Sequence, residues 1–129
     1  ATILGEAGIE VGIFNIIGIP GETKEDIETT LSVNAEVLPA TSKRTVLLPF
    51  KGTEIYRKWQ NNIDEDMLAS QVEYNNCRSV FKFGAEWLEM IGHYQKNWGE
   101  ELSRVSGVKY DYRWEDSVVV RKDYGGILV

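Results

Sequence analysis

The chain has 129 residues, 43% of them hydrophobic and 26% charged, which is enough for one domain with a real core, or a piece of one, and carries no signature of disorder. A net charge of −6 argues against broad electrostatic binding of nucleic acid, and no apolar stretch is long enough to cross a bilayer. No signal-peptide pattern is visible, and a single cysteine, Cys77, leaves no disulfide framework, so the expected location is cytoplasmic.

Residues 1–10 read as the last turns of a helix ending at Gly8 with nothing to start it, as though the chain began mid-element. Val11, Ile13, Phe14, Ile16 and Ile17 then form an apolar, β-branched run of the length expected for a strand of a parallel sheet, buried on both faces. Gly18, Pro20 and Gly21 end it in a tight turn. Thr23, with Asp26 three residues on, starts a helix from about Lys24 to Leu38, with Ile27, Leu31, Ala35 and Leu38 at helical spacing and Val33 and Val37 widening the stripe. Pro39 stops it. A second strand over 44–49 follows, and a right-handed crossover would set it parallel to and beside the first.

The carboxyl ends of two such strands open on one face of a sheet, which is where α/β proteins place their ligands. Gly18 to Glu22 and Phe50 to Gly52 would be the two loops there, with Thr53 starting a short helix through Trp59. The glycines let a ligand approach the backbone, or they only supply the angles of short connections. Neither a P-loop nor a G-x-G-x-x-G motif is present. Lys51 reads as a solvated turn residue.

From residue 61 the character changes. Asp64 caps a helix carrying Met67, Leu68, Val72 and Tyr74, extended toward Ser79–Phe83, and Gly84 permits a break. Trp87, Ile91, Tyr94, Trp98, Leu102 and Val105 then fall on one continuous helical face, read as packing against a sheet or helix. His93 has no second ligand at metal spacing, and Cys77 reads as a small, partly buried residue. Residues 106–129 alternate as antiparallel β, with a turn at Glu115–Asp116 and another near Gly125–Gly126, forming a small sheet of their own.

The string G-I-F-N-I-I-G-I-P-G-E-T-K-E-D-I-E-T-T, followed one helix and one strand later by L-P-F-K-G-T-E-I-Y, resembles the C-terminal half of the catalytic barrel of radical S-adenosylmethionine enzymes. The branch it is most similar to includes the cobalamin-binding methyltransferases and cyclases, the methylthiotransferases and the coproporphyrinogen oxidase-like proteins. The likeness covers about residues 1–59 and nothing beyond. Against the family's loose strand pattern G-x-I-x-G-x-x-E, Ile16 and Gly18 match, Phe14 replaces the first glycine and Glu22 sits one position late; Lys51 stands where a proline or aromatic residue is usual.

The resemblance implies an α/β fold: the last parallel βα units of a partial TIM-like barrel over 1–60, then an α+β extension over 61–129 with helices and a small antiparallel sheet. It implies S-adenosylmethionine contacts at Ile16, Gly18, Pro20, Gly21 and Glu22, and substrate-facing positions at Phe50, Gly52 and Thr53. It further implies a [4Fe–4S] cluster held on a C-x-x-x-C-x-x-C loop, with cobalamin as a candidate second cofactor. One cysteine cannot build that loop, so the expectation is a fragment: the cluster would belong to the missing N-terminal half of the barrel, and this chain alone would be inactive. The substrate would be a small molecule, and the acidic charge weighs against the tRNA-modifying members. The alternatives from a different class are a non-catalytic α/β module whose Gly turn holds an anionic ligand, and a scaffold piece whose tail mediates oligomerisation. Valine at Gly18 or Gly21 is expected to impair cofactor binding without unfolding the protein.

Overall fold

The apolar run after Val11 does form a strand, and the capped stripe after Thr23 does form a helix. In the computed structural model, which describes residues 10–71, 78–113 and 115–123, the order is β1 (Gly12–Ile17), α1 (Lys24–Val37), β2 (Thr41–Val46), α2 (Glu54–Trp59), a 3-10 turn (Gln60–Asn62), α3 (Glu65–Ser70), α4 (Ala85–Lys96), α5 (Trp98–Ser106), β3 (Tyr110–Arg113) and β4 (Glu115–Arg121). Expectations for residues 1–9, for Val72, Tyr74 and Cys77, and for the Gly125–Gly126 turn lie outside the described residues.

One four-stranded mixed sheet runs β1-β2-β4-β3. β1 and β2 pair in parallel from Gly12↔Thr41 to Ile17↔Val46, as expected of a strand–helix–strand unit. The later strands do not form a sheet of their own. β4 pairs antiparallel with β2 (Thr41↔Val120, Ser42↔Val119, Lys43↔Val118), and β3 pairs antiparallel with β4. β4 starts at Glu115, so the reversal comes earlier than Glu115–Asp116, after a register shift between Tyr112 and Arg113.

Side chains on one sheet face explain the layering. Ile17, Val46 and Val119 are fully buried there with Ile27 and Leu31 of α1, Ile91 of α4, and Trp98 and Leu102 of α5. Between sheet and helices lies a buried polar knot. Asn34 Nδ2 donates to Asn15 Oδ1 at 2.8 Å, Asn15 Nδ2 to Ser42 Oγ at 3.1 Å, Ser42 Oγ to Asn34 Oδ1 at 2.8 Å, and Trp98 Nε1 to Ser42 Oγ at 3.0 Å. Asn15 Nδ2 and Asn34 Nδ2 also donate to the Lys43 and Thr30 carbonyls, each at 2.9 Å, so the desolvation cost of burying the amides is offset. On the helix surface Arg104 Nη2 lies 2.7 and 2.8 Å from the two carboxylate oxygens of Glu28, which also accepts from the Tyr94 hydroxyl at 2.7 Å, tying α1 to α4 and α5.

Several expectations are corrected. β1 is covered on one face only: Phe14 is 84% and Ile16 48% exposed, because β1 is the sheet's edge strand and its alternate residues project away from the helices. A β-branched run does not distinguish one covered face from two. β2 begins at Thr41 and ends at Val46, not over 44–49, although the Leu47 N–H still donates to the Ile17 carbonyl at 2.9 Å. In α1 Asn34 takes a buried position while Val33 is 52% exposed; the helix stops at Val37, and Leu38 adopts a left-handed φ of 50° before Pro39.

Residues 78–83 are not helical, and Phe81 bridges Ile63. The single long helix expected over Trp87 to Val105 is two. It breaks at Asn97, whose side-chain amide and backbone N–H both donate to the His93 carbonyl at 2.9 Å. The break brings Gly99 against the sheet, where a Cβ would stand 3.1 Å from Val119 Cγ1 and 3.2 Å from the Tyr112 ring.

Candidate functional site

Two turns of matching construction meet at the carboxyl end of the parallel pair. In the first, the Glu22 N–H donates to the Ile19 carbonyl at 2.9 Å, with Pro20 and then Gly21 at φ 83° between them, the signature of a type II turn. In the second, the Thr53 N–H donates to the Phe50 carbonyl at 3.2 Å, with Gly52 at φ 92°. A threonine follows or ends each turn and caps a helix. Thr23 Oγ1 accepts from the Asp26 N–H at 3.2 Å and Thr53 Oγ1 from the Tyr56 N–H at 3.2 Å. A left-handed φ at the third turn position is what the two Gly residues supply.

Between the first turn and α2, the helix that the second turn leads into, runs an open groove, with Ile19 and Pro20 on one side and Glu54, Ile55, Arg57, Lys58 and Trp59 on the other; Phe50, Gly52 and Thr53 do not line it. Of the residues singled out in the sequence, Pro20 lines it. Gly18 and Glu22 lie within the first turn's framework, and Thr53 is committed to capping α2. Ile16 projects from the open face of β1, beside Phe14, over which Lys43 Nζ stands 6.0 Å from the ring centre. Phe50 is 52% exposed, and Gly52 has open space around its Cα.

Glu22 carries the electrostatics of the first turn. Its Oε1 accepts from the Gly18 N–H at 2.7 Å, so the carboxylate folds back into the loop. Burial pushes its pKa above the ordinary glutamate value; the Gly18 and Ile19 amides pull it down, less strongly, and Asp26 adds a small upward push. At the helix start, Asp26 Oδ2 accepts from the Thr23 N–H at 2.9 Å, completing a capping box. The turn's own carboxylates therefore occupy the amides that an anion would use, and this favours neither a phosphate cradle nor the anion-binding alternative.

The raised pKa predicts a pH dependence. A carboxyl whose folded pKa lies above its unfolded value of about 4.3 binds more protons when folded, so its contribution is complete below that value and is lost as pH rises through the folded pKa. Glu22→Gln, which keeps an oxygen acceptor for Gly18, is expected to flatten that slope. Urea midpoints of both proteins between pH of about 4 and about 7 check it, and parallel curves would sink it.

The chain matches no protein-family model, no curated protein and no solved structure. Among the described residues no group of three His, Cys, Asp or Glu side chains could hold a metal ion, and no helix is long and apolar enough to cross a membrane.

Sequence reasoning missed the support beneath the turns. Trp87 Nε1 donates to the Glu22 carbonyl at 2.9 Å. Phe83 meets the Trp87 ring edge-on at 5.1 Å and the Trp59 ring edge-on at 5.5 Å. Trp87 looked like one more core residue in an apolar stripe; only its indole N–H, which a buried tryptophan must place somewhere, was a signal.

Proposed function

We propose that this chain is the C-terminal portion of a radical S-adenosylmethionine enzyme, contributing cofactor- and substrate-facing loops to a catalytic barrel. The observation that carries the reading is the convergence of the two motif segments: G-x-P-G-E-T and P-F-x-G-T-E follow the carboxyl ends of adjacent parallel strands, and one groove lies between the first turn and the helix that opens at Glu54 of the second. Antiparallel β4 occupies the far side of β2, so further parallel strands of a partial barrel would add at the β1 edge. Ile16 and Phe14, open beside that edge, would then face the barrel interior.

The fit of the implied groups differs. Ile16 offers an apolar surface for a planar base and Pro20 a wall of the groove, so this rim suits the adenosyl part of S-adenosylmethionine. Glu22 would act by fixing the turn through Gly18, with its charge directed inward. When bound, S-adenosylmethionine supplies the family's radical chemistry. A [4Fe–4S] cluster does not fit this chain, whose one cysteine is Cys77 against the three thiolates required. No residue of the described structure points to cobalamin.

The test is made on the full-length polypeptide. Its coding sequence is expected to contain a C-x-x-x-C-x-x-C loop upstream of Ala1. The anaerobically reconstituted protein, reduced by one electron with dithionite, is expected to show a [4Fe–4S]+ electron paramagnetic resonance signal that changes on adding S-adenosylmethionine. A reading frame without that loop, or a cluster signal indifferent to the cofactor, removes the assignment.

A further inference from the structure

We infer that the row Trp59–Phe83–Trp87 is a positioning device that sets the separation of the two rim turns; the inference rests on the reading of those turns as the rim of a binding site. Trp59 ends α2, the helix that Thr53 of the second turn caps, and it lines the groove. Trp87, in the first turn of α4, is bonded through its N–H to the Glu22 carbonyl, 65 residues away at the first turn. Phe83 stands between them and meets both rings at 88°. Phe83 is in turn stacked at 5.5 Å on Phe81, which is 1% exposed and bridged to Ile63, so the row is anchored in the core.

The chemistry of each member fits this role better than simple packing. Edge-to-face rings resist sliding because the positive edge of one ring sits on the negative face of the next. Gly84, at φ 96°, turns the chain between Phe83 and α4 so that Phe83 and Trp87 meet across the start of that helix. A phenylalanine at position 87 would present a smaller ring and no N–H; the tryptophan supplies a donor aimed at the backbone of the candidate cofactor loop. Trp87 and Phe83 thus act on the site through Glu22 and Trp59, and neither is a catalytic residue. Residues of the 61–129 stretch, which has no counterpart in the motif resemblance, would in this way govern the aperture of the rim.

The experiment compares full-length wild type with Trp87→Phe and Phe83→Leu by amide hydrogen exchange at Gly18, Glu22 and Thr53 and by S-adenosylmethionine binding. Trp87→Phe leaves an aromatic ring at the start of α4 but removes the donor, so exchange at Gly18 and Glu22 is expected to rise ~10-fold, the weight of one ordinary hydrogen bond, with β2 amides unchanged and the cofactor bound about tenfold more weakly. Phe83→Leu is expected to accelerate Thr53 as well. The inference is overturned if Trp87→Phe leaves the Gly18 and Glu22 amides unchanged, or if it speeds exchange throughout the sheet to the same degree. If Phe83→Leu does not fold, Trp87→Phe alone decides. Should wild type fail to bind S-adenosylmethionine while the exchange pattern responds as stated, the proposed function falls and the positioning device stands.

Discussion

Replacing Trp98 by alanine is expected to destabilise the protein by about 3–5 kcal/mol, the range for truncating a buried aromatic side chain. Trp98 is fully buried where α5 crosses the sheet, packed in one cluster with Ile17, Leu31, Val46 and Val119. Its loss opens a cavity and removes the 3.0 Å donor to Ser42 Oγ, the hydroxyl that Asn15 and Asn34 also use. Trp98→Phe keeps a smaller aromatic ring in the site but deletes the N–H together with part of the indole, so an intermediate loss of about 1–3 kcal/mol is expected. Urea denaturation followed by far-ultraviolet circular dichroism measures both. A loss below about 1 kcal/mol for Trp98→Ala would mean that the site collapses around the missing ring and that the polar knot does not depend on it. Total stabilities of about 5–15 kcal/mol make the expected loss a large fraction of the whole.

The same residues show how far local pattern carries. β1, α1, both threonine caps, α2 and the antiparallel hairpin are short-range features, set by β-branching, helical spacing, capping hydroxyls and alternation, and each is found close to where it was expected. The parallel pairing followed from the helix between two strands. What local pattern does not encode is which partner a strand takes across 75 residues: Val118 to Val120 alternate equally well in a hairpin that stands apart or in one joined to Thr41 to Lys43, and the structure joins them, β4 pairing with β3 on one side and β2 on the other. The long helical stripe failed for a related reason. Spacing around Asn97 is compatible with one helix, but Asn97 satisfies the His93 carbonyl with its own side chain and frees α5 to lie against β3. The polar knot was illegible because Asn15, Asn34 and Ser42 find their side-chain partners on three different elements, which no local spacing joins. At the candidate site, the two turns were legible as motifs. Their tie through Trp87 and Phe83 was not, since nothing in the spacing joins residue 22 to residue 87.

The structure divides the two glycines of the first turn, which the sequence treated alike. Gly18→Val is expected to unfold or severely destabilise the protein. Its φ is 81°, a region that costs a β-branched residue about 1–3 kcal/mol, and a Cβ there would lie 3.2 Å from Val46 Cγ1 and 3.6 Å from Ile91 Cγ2 inside the core. This corrects the expectation that valine at Gly18 leaves the fold intact. Gly21 has the same left-handed backbone, φ 83°, but nothing lies within 4 Å of its Cβ position, so Gly21→Val adds strain without a clash. The folded turn is expected to relieve that strain by abandoning the type II geometry, at a cost of about 1–2 kcal/mol. Gly21→Asn, which tolerates the left-handed region, is expected to lie near wild type and serves as the rescue. Because Gly21 adjoins the Glu22 carboxylate that holds Gly18, a changed turn also releases the loop beside Ile16. Under the proposed function, Gly21→Val is therefore expected to weaken S-adenosylmethionine binding while retaining a cooperative thermal transition, with Gly21→Asn restoring affinity. Equal affinity in wild type and Gly21→Val would detach the first turn from the cofactor, and a Gly18→Val protein as stable as wild type would contradict the packing around Val46 and Ile91.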